Sequence, residues 1–236
     1  MARFWGNNTQ VTITSLAIAD RDRQIKKRSH YNSLKLWGSL TGWCLFSSPL
    51  AAQITPDGTS GTEVNTTDNV AEITGGTEAG SNLFHSFQDF SVQTGNSAFF
   101  NNASEISNII GRVTGNNISN LDGLIRANGN ANLILINPSG INFGDNASLD
   151  IGGSFLGSPA ASVIFEDGTV FNADISEPFL TISAPIGLQM GQNSQAIQVS
   201  GGNNAEANLS VTSGNTFALV ANGITFNGGV VTAESG

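Results

Sequence analysis

Past residue 52 the sequence has no cysteine, tryptophan, tyrosine or lysine. The one cysteine is Cys44, so an internal disulfide and a cysteine-based zinc site are both excluded. Charged residues are scarce, at 11%, while 39% of the chain is hydrophobic, which is not the composition of a charged disordered tail. Nine Lys and Arg against 18 Asp and Glu give a net charge of −9. Nucleic-acid binding depends on basic residues that neutralise phosphates, so this balance argues against a nucleic-acid partner. No apolar run approaches the roughly 20 residues that a membrane-spanning helix needs. Also missing are the G-x-S-x-G and H-E-x-x-H signatures, the phosphate-binding loop, and the G-G-x-G-x-D and D-x-D-x-D calcium patterns. The sequence therefore predicts no catalytic residue, no cofactor and no metal ligand set.

What is present is divided unevenly. Seven of the nine basic residues lie before residue 52, with all three Trp, the single Tyr and Cys44; the segment after it carries Arg112 and Arg126 against 16 acids, a net −14. Arg21–Lys35 is polar and mostly basic, Leu36–Phe46 is mostly apolar, and Ser-Ser-Pro-Leu-Ala-Ala follows. A basic flank, a short apolar run and small residues are the pattern of a Sec signal peptide, with cleavage expected between Ala52 and Gln53. Residues 1–52 are thus expected to be an extended leader that engages the Sec translocon and is absent from the mature fold. Residues 53–236 are expected to be the exported domain. Within the leader, Val-Thr-Ile-Thr-Ser-Leu-Ala-Ile-Ala reads as a short strand upstream of the basic region.

The exported segment contains 25 Gly and 24 Asn, a density that disfavours helix. Short apolar runs bounded by turn residues recur instead, among them 83–92, 97–100, 108–113, 132–136, 140–143, 154–157, 179–184, 195–200, 208–212 and 216–221. Many short strands with little proline leave a sandwich, a barrel or a β-solenoid. Loosely repeated units favour the solenoid, and the 17 residues from Gly123 to Gly140 match one coil of it. As a solenoid the segment is expected to make 7–9 coils and, at about 4.8 Å each, a rod of about 35–45 Å. Asn and Gly suit the corners, and stacked Asn amides can hydrogen-bond along a ladder. Val163–Phe171 alternates around Asp167-Gly168 and predicts a hairpin outside the coils. Residues 53–76 are placed to cover the N-terminal edge.

Parallel β-helices include polysaccharide-active enzymes, so the carboxylates bear on a second function class. Hydrolysis of a glycosidic bond needs two carboxyl groups flanking it. Asp145 and Asp150 lie near expected corners and Glu166-Asp167 lies in the hairpin turn, positions typical of solvated turn residues. His85, the one His after residue 52, sits in the aromatic run Asn82–Phe90 and reads as a packing or hydrogen-bonding residue. A polysaccharide-active enzyme or glycan-binding module stays the alternative reading.

Three segments carry a family resemblance: Asn82–Val92 (NLFHSFQDFSV), Ala98–Ala103 (AFFNNA) and Gly123–Ser158, the last containing LILINPSGINFG. Together they resemble the N-terminal two-partner-secretion domain of filamentous haemagglutinin-like exoproteins. The opening QITPDGT and the NLFHSF wording look most like its cyanobacterial branch. The resemblance implies an all-β, right-handed parallel β-helix with an N-terminal cap and an extra-helical hairpin. It implies export by Sec, then recognition by an outer-membrane β-barrel transporter with POTRA domains. The domain then folds at the cell surface and nucleates the rod behind it, in an adhesin-like, secreted product.

Asn137-Pro138-Ser139-Gly140-Ile141 matches the family's Asn-Pro-Asn-Gly-Ile motif except at Ser139. By resemblance these five residues are the transporter-recognition candidates, with Asn82, Phe84, Phe87 and Phe90 of the aromatic strand as secondary ones; read as residues, the five make a tight turn in which Pro138 fixes φ, Gly140 supplies a permissive position and the Asn137 amide bonds the turn backbone, so a purely structural β-helix corner is the alternative to transporter contact. The family's second motif, Asn-Pro-Asn-Leu, has no counterpart between residues 101 and 119. Members usually continue into a long repetitive rod, so any host or cell-surface glycan or protein target is expected to lie there, and this chain reads as the N-terminal part of a longer exoprotein.

Overall fold

The computed structural model describes residues 11–15, 54–174, 180–201 and 209–228. Among these the protein is all β-structure, a parallel β-helix of about six turns. At ~4.8 Å per coil the stack is about 29 Å tall.

Each full coil lays one strand on each of three faces. Face A stacks β6 (Asn82–Phe90), β8 (Asn108–Val113), β11 (Asn132–Ile136), β14 (Phe155–Ser158) and β19 (Phe217–Ala221), all parallel. Face B stacks β4 (Val70–Gly75), β7 (Ser97–Phe100), β10 (Leu124–Ala127) and β13 (Ser148–Asp150). Face C stacks β9 (Ser119–Leu121), β12 (Ile141–Phe143), β18 (Ile197–Ser200) and β20 (Ile224–Asn227). Residues that stack in successive coils are 26, 24 and 22 apart (Asn82–Asn108, Asn108–Asn132, Asn120–Asn142). The 17-residue spacing expected from Gly123 and Gly140 is therefore wrong. Those glycines stand at different corners, Gly123 before face B and Gly140 before face C, so longer and fewer coils form than the 7–9 expected.

The N-terminal end is closed by antiparallel strands. β2 (Ile54–Pro56) and β5 (Thr77–Ala79) pair end to end along the outer edge of β6, and β3 (Thr62–Thr67) pairs with β4. This is the cap expected from residues 53–76. Gln53 and Ala52 lie outside the described residues. Val11–Ser15 forms β1, parallel to β19, so in the uncleaved chain this part of the N-terminal segment extends face A.

The faces differ in burial, and the sequence shows why. On face C, the run Ile141-Asn142-Phe143 alternates, with the inward Ile141 and Phe143 buried and Asn142 only partly so. On face A, Leu133–Ile136 and Ile109–Val113 are buried on both sides, which explains their continuous apolar character. Their inward side chains (Ile109, Leu133, Leu135) join Phe155, Phe217 and Leu219 in the central core. Their outward ones (Ile110, Ile134, Ile136) join Phe84 and Leu156 in a second cluster.

That second cluster is covered by an insertion between β14 and β18. β15 (Ser162–Phe165) and β16 (Val170–Asn172) form the expected hairpin around Asp167-Gly168, and β17 (Pro185–Gln189) adds a third antiparallel strand on the other side of β15. The strand expected at 179–184 does not form over the described residues 180–184. The carbonyls of Thr181 and Ser183 accept from the Asn82 amide at 3.0 and 2.8 Å, and the Thr181 hydroxyl accepts from the Ser183 N–H at 3.0 Å. Local polar bonds replace a ladder there. The described part of 208–212 is likewise not a strand; the Asn215 amide binds the Gly152 carbonyl at 2.9 Å and Thr212 Oγ1 at 2.6 Å, shaping a turn.

The expected amide ladder is present. Asn108 donates to Asn82 Oδ1 and Asn132 to Asn108 Oδ1, each at 2.9 Å, and the Ser154 N–H donates to Asn132 Oδ1 at 2.9 Å. Asn82, Asn108 and Asn132 open their strands in one register, so each amide satisfies the next coil.

Candidate functional site

Asn137–Gly140 is the corner between β11 on face A and β12 on face C. Pro138 fixes φ at the second position of a β-turn closed by the Gly140 N–H donating to the Asn137 carbonyl at 2.9 Å. Gly140 takes a φ of +106°, outside the range of other residues without strain. The Ser139 N–H donates to Asn137 Oδ1 at 2.9 Å, an Asx turn nested in the β-turn. Ser139 itself donates its hydroxyl to the Gly115 carbonyl at 3.3 Å, one coil earlier.

Asn137 is fully buried and its amide is saturated. Nδ2 donates to the Asn117 carbonyl at 3.0 Å and to Ser119 Oγ at 2.9 Å, while its backbone N–H donates to the Ser158 carbonyl at 2.9 Å. Three coils are thereby tied through one residue. Ile141 is buried in the core and pairs with Ser119 and Ile197. Above the corner, the Gln195 N–H donates to the Pro138 carbonyl at 3.0 Å. Below it, Gly115 lies so close to the previous coil that a Cβ would sit 2.0 Å from the Gln88 carbonyl oxygen. Only Pro138 and Ser139 of the five keep partial exposure.

The secondary candidates divide by role. Asn82 begins the amide ladder at the far end of β6 from this corner. Phe84 points outward and packs against Phe171 and Phe165, with ring centroids 5.1 and 5.8 Å away. Phe87 and Phe90 point inward, 5.0 Å apart and both beside Phe100. All four are buried, so the aromatic strand is core structure and offers no folded surface with the Asn137 corner.

Sequence reading missed Arg112. It is the one basic side chain buried among the described residues, on the outward side of β8. Nε donates to Ser86 Oγ at 2.7 Å, Nη1 to the Asn172 carbonyl at 2.5 Å and Nη2 to Thr59 Oγ1 at 2.9 Å. Its guanidinium lies 4.7 Å from the Phe171 ring centroid. The N-terminal cap, the first coils and the insertion therefore meet at one planar group, which suits Arg and not Lys. Burial lowers its pKa, opposed by Asp57 and Asp174. Burial of Asp57 favours its neutral form, but hydrogen bonds from Ser86, Thr59 and Thr114 outweigh this and hold the carboxyl below its ordinary value. The sequence signal was the rarity of positive charge after residue 52.

The groups considered for catalysis are distributed separately. His85 is buried, with Nδ1 3.1 Å from Thr62 Oγ1, and burial alone lowers its pKa to about 4. Asp150 pairs with Arg126 at 3.2 Å on the exposed side of face B. In the insertion turn the Thr181 hydroxyl, then the Thr169 N–H, hold Asp167 at a pKa of about 2. No group of three or more His, Cys, Asp or Glu among the described residues is arranged to hold a metal ion.

A family model described as TPS secretion domain matches residues 52–236. No curated protein matches the chain.

Proposed function

The chain belongs to the TPS secretion domain family, and from that premise we propose that it directs export of a two-partner-secretion exoprotein and nucleates folding of the β-helix outside the cell. Membership makes it a domain of a secreted exoprotein that crosses the outer membrane, with a cognate outer-membrane transporter as its general partner and secretion targeting rather than catalysis as its role. The finer reading is ours. Residues 1–52 serve as a Sec leader removed after Ala52, POTRA domains of the transporter receive the unfolded chain, and an adhesin-like product follows at the surface.

The single observation that carries the mechanism is the burial of Asn137. A residue with its amide donated to Asn117 and Ser119 and its Oδ1 accepting from Ser139 presents nothing to a partner once folded. The motif therefore acts in two successive states. In the extended chain its side chains are available to the transporter; on folding they close the corner that stacks one coil on the next. Folding withdraws the ligand from the transporter and drives release. A mature chain without a thiol suits this route, because no disulfide forms in the periplasm to block threading.

The test is transporter dependence. Expressed with its cognate outer-membrane transporter, the chain reaches the medium; without it, the chain accumulates in the periplasm. Equal secretion in both strains would overturn the proposal.

A further inference from the structure

His85 and Ser86 are neighbours on β6 that point to opposite sides of face A, His85 into the central core and Ser86 toward the insertion. Residues 54–62 wrap around this pair. β2 runs antiparallel along β6, from Ile54 beside Phe90 to Pro56 beside Phe87. On the outward side the Asp57 carboxylate accepts from the hydroxyls of Ser86 at 2.5 Å and Thr114 at 3.0 Å, and the Asp57 N–H donates to the Ser86 carbonyl at 3.3 Å. On the inward side Thr62 Oγ1 lies 3.1 Å from His85 Nδ1, accepts from the Ser86 N–H at 3.1 Å and shares a hydrogen bond of 2.8 Å with Ser60. The Gly75-Gly76 turn closes over the ring. A Cβ on Gly76 would sit 2.9 Å from His85 Cε1, and the Gly76 N–H donates to the Gly61 carbonyl at 3.0 Å. One cap segment is thus clamped from both sides of a single strand.

The two clamps differ in what they tolerate. His85 is faced by Thr62 with Ser60 behind it, by the Gly76 backbone, by Phe87 on its own strand, and by Phe100 on β7 and Gly111 on β8. Arg112, next to Gly111, points the other way, to Ser86. Burial is the one cause that lowers the His85 pKa, and no charged group among the described residues adds to it. Of the acids on the cap strands and their turns, Glu63, Asp68 and Glu78 are exposed, and Glu72 accepts from the Asn101 amide outside face B. A proton on His85 therefore places an unpaired charge among aromatic rings, and the ring regains water only when the cap segment lifts. On the outward side Asp57 is linked to Arg112 through the Ser86 and Thr59 hydroxyls, with Asp174 the other carboxylate near that guanidinium. The Asp57 clamp holds to lower pH than the His85 clamp.

We propose that residues 54–62 are an acid-released latch: protonation of His85 lifts this segment from β6 while the coils beyond it stay stacked. Release uncovers the β6 edge at residues 87–90, which β2 otherwise pairs, and opens the N-terminal end of the core at Ile54. Neutral surroundings close it again. The sign follows from burial. The closed latch holds the neutral ring, so closure is favoured above the ordinary His value of 6.5 and weakens as pH falls toward 4. The latch belongs to the folded domain and operates whatever the route of export.

Residue-resolved amide exchange on the purified chain at about pH 7 and about pH 4.5 tests this, each rate expressed as protection relative to an unstructured amide. The amides of Asp57, Gly76 and Ser86 report on the latch. Those of Leu133 and Asn137, bonded to the Ser154 and Ser158 carbonyls, report on the coils. At the lower pH latch protection falls at least about tenfold, while Leu133 and Asn137 change by less than about twofold. His85→Gln keeps a hydrogen-bonding side chain without a titrating ring, and in it the latch responds no more than the coils. Unchanged latch protection, or an equal loss at Leu133 and Asn137, overturns the proposal, as does an undiminished acid response in His85→Gln. If that variant does not fold, the NMR titration of the His85 ring in the unaltered chain decides. Latch opening that follows ring protonation supports the proposal, and a latch that opens while the ring is still neutral overturns it.

Discussion

The Asn137 amide donates to the Ser119 hydroxyl at 2.9 Å, across one coil and 18 residues of sequence. The bond is buried, so neither partner has water to fall back on. In Asn137→Ala, Ser119 Oγ, the Asn117 carbonyl and the Ser139 N–H lose their partner together. Unsatisfied buried polar groups set the scale at about 2–3 kcal/mol of lost stability. Ser119→Ala removes one bond of the same corner and is expected to cost about 1 kcal/mol. Denaturant unfolding of both variants checks the order; equal stability of Asn137→Ala and the parent chain would contradict the corner's structural role.

Arg112 joins three parts of the fold, and its loss is predicted to be felt in all of them. Arg112→Met keeps the volume but removes the donors to Ser86, Thr59 and the Asn172 carbonyl. It also leaves Asp57 without its cationic neighbour. Losing one member of such a buried network costs about 3 kcal/mol. Arg112→Lys is expected to recover less than half of this, because a point charge cannot reproduce the fork. Amide exchange in β16 should accelerate along with exchange in the cap.

Phe84 is the aromatic side chain that packs face A against the insertion. Phe84→Ala opens a cavity against Phe171 and Phe165, at a cost of about 3–4 kcal/mol. Exchange should rise in β15–β17 more than in β8 and β11, whose inward side chains keep their own core. Uniform loosening of every coil would show that the insertion is not a separable layer.

His85 gives the fold a pH dependence whose sign follows from burial. Its folded pKa of about 4 lies below the ordinary 6.5, so between those values the unfolded chain binds more protons. Its contribution is fully present above 6.5 and is lost as pH falls toward 4, by about 3 kcal/mol in all. His85→Gln should flatten stability across that window. The Asp57 contribution is present above the ordinary carboxyl value and is lost at lower pH than this, so the two effects separate in a titration of Tm.

Residue types show how much of this was legible. Short apolar runs such as 140–143, the Asp167-Gly168 turn and the abundance of Asn suited to corners and ladders lead to parallel coils, the hairpin and the amide ladder. Coil length was misread because corners of different faces share the same Gly and Asn chemistry, and no single residue marks which face comes next. The strand Pro185–Gln189 was missed because Pro185 and Gly187 weaken its pattern. The Arg112 cluster gathers residues 57, 59, 86, 112 and 172, a juxtaposition that only the stacking of coils creates. At the candidate site the turn was readable from Pro138 and Gly140, whereas the burial of Asn137 depends on Asn117, Ser119 and Ser158 in neighbouring coils.

The central claim is that the Asn137 motif serves export both as an extended signal and as a folded corner. The most direct measurement is secretion through the cognate outer-membrane transporter, comparing Asn137→Ala with Ser119→Ala while periplasmic arrival is monitored in parallel. The account predicts normal periplasmic arrival for both, a loss of secretion of at least about tenfold for Asn137→Ala, and a smaller loss for Ser119→Ala, which leaves the motif intact but weakens the corner. Undiminished secretion of Asn137→Ala would contradict it.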